Sequence, residues 1–69
     1  MTADDCRDRL HRAGWNLGEV CVMTDAGPVW LVAGVNGENR IEARGESQAA
    51  AWLKACQMAA ACGMLRDWP

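Results

Sequence analysis

The stretch SQAAAWLKACQMAAACG, residues 47–63, decides how the rest of the chain is read. Ser47 stands where a helix N-cap belongs, and Gly63 stands where a left-handed residue closes a helix. Between them, Gln48 to Cys62 are mostly good helix formers. At about 100° per residue, Ala49, Trp52, Leu53, Cys56, Ala59 and Ala60 share one side of this helix, with Lys54, Gln57 and Ala61 opposite. One large ring, one leucine and several small side chains make a stripe that can lie close against a sheet. The chain ahead of residue 47 is therefore expected to supply that sheet.

It contains the required pieces. Thr2 followed by Asp5 has the form of a capping box, and a first helix is expected from about Ala3 to Ala13. Ala3, Cys6, Leu10 and Ala13 fall on one narrow stripe, and Gly14 ends the helix. Asp8 with Arg12 is an i,i+4 pair on the opposite side. Trp15 is expected to fold back under the sheet or between the helices. Leu17–Thr24 alternates as a strand, and Asp25-Ala26-Gly27-Pro28 is a dense turn signal. Val29–Val35 and Arg40–Arg44 are the next two strands, joined through Asn36-Gly37.

The register at that turn decides which side chains are buried, because a slip of one residue exchanges the faces. A two-residue Asn36-Gly37 loop sets Val35 beside Glu38 and Trp30 beside Ala43. A three-residue loop sets Val35 beside Asn39, Ala33 beside Ile41 and Leu31 beside Ala43. The second is preferred, since it gathers Leu31, Ala33, Val35, Ile41 and Ala43 on one apolar face. The expected fold is α+β in the order α-β-β-β-α, a three-stranded antiparallel sheet with two helices packed on one face.

The order and a few local motifs resemble the double-stranded-RNA-binding domain. Val35-Asn36-Gly37, a strand ending Ala43-Arg44-Gly45, Ser47 at the helix start and Gly27-Pro28 before the second strand carry the likeness, over roughly residues 27–51. The resemblance implies the same fold. The family's helix-opening lysines correspond here to Gln48 and Ala49, and Asp4, Asp5 and Asp8 occupy the first helix. These departures argue against that family's RNA binding.

At 69 residues the chain is one small domain, residues 1–69, with 51% hydrophobic residues and a formal charge of −2. Such a chain buries only roughly 60% of its unfolded surface, so each large side chain matters. The mild negative charge does not suit binding through phosphate contacts alone. Cys6, Cys21, Cys56 and Cys62 form no Cys-x-x-Cys pair, which argues against a zinc knuckle. With no apolar leader and no membrane-length run, the expectation is a cytoplasmic protein with reduced thiols and no membrane association.

Little in the chain has the form of catalytic machinery. His11 stands alone on a polar helix side, Ser47 is accounted for as a cap, and Gly34 and Gly37 lack phosphate-loop order. No enzyme activity, cofactor or metal is expected. The candidate site is instead the open face of the sheet: Trp30, Val32, Cys21 and Met23, edged by Arg40, Glu42 and Arg44. A tryptophan among arginines has the composition of an interface hot spot. The competing expectation is that the tail Met64–Pro69 covers this face, or that the strands take the other register.

Two function classes follow. One is a non-enzymatic protein-interaction module, contacting a partner or a second copy as a homodimer. A small phage-type inhibitor of a nucleic-acid-processing, CRISPR-like defence complex is a special case of it. The other is a weak nucleic-acid binder using Arg40, Arg44 and Trp30 to stack on bases.

Overall fold

The structure, a computed structural model, describes residues 2–65. Its elements run α1 (Ala3–Arg12), β1 (Asn16–Thr24), β2 (Gly27–Asn36), β3 (Asn39–Gly45) and α2 (Gln48–Ala61). The strands form one antiparallel sheet in the order β1-β2-β3. Both helices lie on one side of it, so the architecture is the expected α-β-β-β-α.

The caps form as the sequence predicts. The Thr2 hydroxyl accepts from the Asp5 N–H, and the Asp5 carboxylate accepts from the Thr2 N–H, each at 3.2 Å. These bonds hold the Asp5 carboxyl below the usual carboxylate range. The Ser47 hydroxyl accepts from the Ala50 N–H at 3.1 Å, and Gly63 adopts φ +75° beyond the end of α2. Trp15 is buried, and its indole N–H donates to the Met64 carbonyl at 3.1 Å. Leu65 is buried with it, so the tail as far as Leu65 runs on the helix side of the sheet. The remainder of the tail, residues 66–69, lies outside the described residues.

The buried stripe of α2 is Ala51, Trp52, Ala55, Cys56 and Ala59, rotated from the expected one. Ala49 and Leu53 are exposed. The cause is the approach of α2 to the end of β3: a Cβ on Gly45 would sit 2.5 Å from the Ala51 nitrogen. Contact that close needs a ridge of small residues. The residues met there are Ala50 and Ala51, and Ala51, Ala55 and Ala59 continue as small side chains along the buried side of α2.

The register also differs from the expected one. β2 and β3 pair Val35 with Arg40, Gly34 with Ile41, Val32 with Ala43 and Trp30 with Gly45. The loop is Gly37-Glu38, with Asn36 and Asn39 as the last pair. Gly37 has φ +61°, the glycine-first arrangement of a type II′ hairpin turn. Asn36 stays in the strand because its side-chain amide donates to the Ala13 carbonyl at 3.0 Å, a bond between distant parts of the chain. The slip turns Trp30, Val32 and Gly34 toward the helices, with Ile41 and Ala43. It turns Leu31, Ala33 and Val35 away. Gly34 is needed where it stands, since a Cβ there would collide with the Leu17 side chain and lie 2.8 Å from the Asn16 carbonyl.

The core therefore joins Cys6, Leu10, Trp15, Val32, Ile41, Ala43, Leu65 and the α2 stripe. Trp52→Ala should destabilise by roughly 3–5 kcal/mol, the range for emptying a large buried aromatic site. Leu53→Ala should cost less than about 0.5 kcal/mol, as for an exposed position. Urea unfolding of both variants checks the helix phase, and equal losses would contradict it.

Candidate functional site

The face turned away from the helices is built by strand alternation alone. Even-numbered residues of β1, odd-numbered residues of β2 and even-numbered residues of β3 share it. Val20, Val22, Val29, Leu31, Ala33 and Val35 form its centre, with Arg40, Glu42 and Arg44 along the β3 side. Val20 is 58% exposed, Val22 42% and Val35 46%, which is high for β-branched residues in a sheet. Contiguous exposed apolar surface of this kind marks interaction sites.

The residues expected at the site divide accordingly. Arg40, Glu42 and Arg44 are exposed on the open face. Val32 is fully buried under the helices, and Trp30 is half-buried and packed against the core. Cys21 and Met23 are exposed but stand on the helix side, where the end of β1 runs beyond the helices. The face thus loses its tryptophan and gains Val20, Val22, Leu31 and Val35. Gly37 can serve as the first residue of a two-residue turn as readily as the second, so the turn residues alone leave both sets open.

The edges of the sheet differ. β3 carries Arg40, Glu42 and Arg44 and has α2 packed against it. From Val20 to Thr24, β1 has no charge and is exposed throughout. Its pairing with β2 runs without a break from Asn16 to Thr24.

The near half of β1 is fastened by Glu19. Its carboxylate accepts from the Trp52 indole N–H at 2.8 Å and from the Gln48 side chain at 3.0 Å. Arg7 lies 3.9 Å from the same carboxylate and 5.3 Å from the centre of the Trp52 ring. One carboxylate thus ties β1 to α2 and reaches α1. The hydrogen bonds from Gln48 and Trp52 hold its pKa below the ordinary glutamate value. Gln48 is committed to this contact, at the position where the resembled family opens its helix with lysine.

The cysteines are free thiols, Cys6 and Cys56 buried and Cys21 and Cys62 exposed. The Cys56 thiol donates to the Cys6 carbonyl at 3.5 Å, and burial pushes its pKa up to about 12. Among the described residues no group of His, Cys, Asp and Glu is arranged to hold a metal ion. No helix among them is long and apolar enough to cross a membrane. No family model, curated protein or solved structure matches the chain.

Because the folded pKa of Glu19 is depressed, its stabilisation is complete above the ordinary glutamate range and is lost as pH falls through the folded value. Glu19→Ala should cost roughly 1–2 kcal/mol at neutral pH, for loss of charge-assisted hydrogen bonds at a partly exposed site. The gap to wild type should close in acid. Urea unfolding at both pH values checks this, and a gap independent of pH would contradict it.

Proposed function

We propose that this chain is a non-enzymatic protein-interaction module whose open sheet face contacts a protein partner. The observation that supports the reading is the apolar centre formed by Val20, Val22, Leu31 and Val35, left uncovered by the helices and flanked by Arg40, Glu42 and Arg44. An uncharged centre with a polar, arginine-bearing rim is the usual anatomy of a protein interface. A small inhibitor seated on a nucleic-acid-processing complex would be one form of such a module. A reduced, cytosolic setting fits its free thiols.

Direct nucleic-acid binding is the weaker reading. Trp30, the ring that would stack on bases, faces the helices, and Glu42 stands between Arg40 and Arg44. The net charge of −2 adds no general attraction for phosphate.

A photo-crosslinking residue at position 35 tests the proposal in the native cell. It should capture one protein as the dominant adduct. The same label at position 58, exposed on the helix side, should not. Equal capture from both positions, or adducts with nucleic acid alone, would contradict the reading.

A further inference from the structure

We infer that the outer edge of β1 is a self-pairing site, through which two copies of the chain join their sheets antiparallel into one of six strands. The proposal concerns the rim of the sheet, and it stands whether or not the face has a partner.

An edge strand presents unpaired backbone N–H and C=O groups, and monomeric proteins blunt such edges with charge, proline, bulges or a covering element. β3 is blunted by Arg40, Glu42 and Arg44 and by α2. The segment Val20-Cys21-Val22-Met23-Thr24 has none of these devices. It carries no charge or proline, its pairing to β2 has no bulge, and both its faces are exposed. Pro28, the one proline nearby, lies on β2 opposite Met23 and leaves the outer edge free.

The sequence of the segment also complements itself. A two-fold axis perpendicular to the sheet keeps the helix sides of both copies together, so directly opposed residues must share a face. Pairing centred on Cys21 sets Val20 opposite the partner's Val22 on the open face. On the helix side it sets Cys21 opposite the partner's Cys21. The two Glu19 carboxylates then face methionines, not each other. Cross-strand pairs of β-branched residues are favourable, and like charges are kept apart. The two open faces become one continuous apolar surface of twice the width.

Only about seven residues pair per copy in this register, so the contact is smaller than a standard interface and the dimer should be weak and concentration-dependent. Sedimentation from ~10 μM to ~1 mM should show a monomer passing into a dimer. In a Cys62→Ala background Cys21 is the one exposed thiol, and a short bismaleimide should join two copies through it. Cys21→Asp, which sets two carboxylates against each other, should weaken association at least tenfold while thermal unfolding stays near wild type. Leu31→Lys, on the open face, should leave association unchanged. A monomer up to ~1 mM would overturn the inference. So would a dimer that survives Cys21→Asp or is abolished by Leu31→Lys, since that dimer would be joined through the face.

Discussion

Whether Val32 or Leu31 enters the core depends on where one strand stops. Side chains in a strand alternate, so ending β2 one residue later exchanges its two faces. Two contacts fix the end. Gly37 supplies the positive φ that a two-residue turn needs at its first position. Asn36, held by the Ala13 carbonyl, is thereby kept as the last paired residue of β2. From this follow the burial of Val32, the packing of Trp30 toward the helices and the aliphatic surface opposite.

The core that results is small and built largely from small side chains. Ala51 meets Gly45 where α2 approaches β3, Ala55 and Ala59 continue along the buried side of α2, and Cys6 and Cys56 fill the space between the helices. Close approach of backbones replaces side-chain bulk. Trp52 and Trp15 are the large exceptions, and each has its indole N–H satisfied, by Glu19 and by the Met64 carbonyl. A ring buried with its polar atom paired contributes area without the penalty of an orphaned donor. Burial of this kind has its limit: two short helices cover one side of a three-stranded sheet, and among the described residues nothing covers the other side.

Much of this was legible in the sequence. Caps at Thr2, Ser47 and Gly63, the strand alternation around Ile41 and Ala43, and the turn at Asp25-Ala26 are local signals, and local contacts made them. The register of β2 was not legible, because Leu31, Ala33 and Val35 are as apolar as Trp30, Val32 and Gly34. Either set could have been the buried one, and a side-chain bond to Ala13, 23 residues away, decided between them. The phase of α2 failed for a related reason. Hydrophobicity favoured Leu53, but the side of α2 that lies against the sheet carries Ala51, Ala55 and Ala59. Arg40 and Arg44 stand on the face expected of them because β3 alternates plainly. The apolar half of the candidate site was missed with the register.

Cross-strand contacts in solution test that register most directly. Nuclear Overhauser effects between backbone protons should connect Val35 with Arg40, Ala33 with Glu42 and Leu31 with Arg44. Contacts of Val35 with Asn39 and of Ala33 with Ile41 in their place would turn Trp30 and Val32 outward beside Arg40, Glu42 and Arg44, and would bury Leu31, Ala33 and Val35.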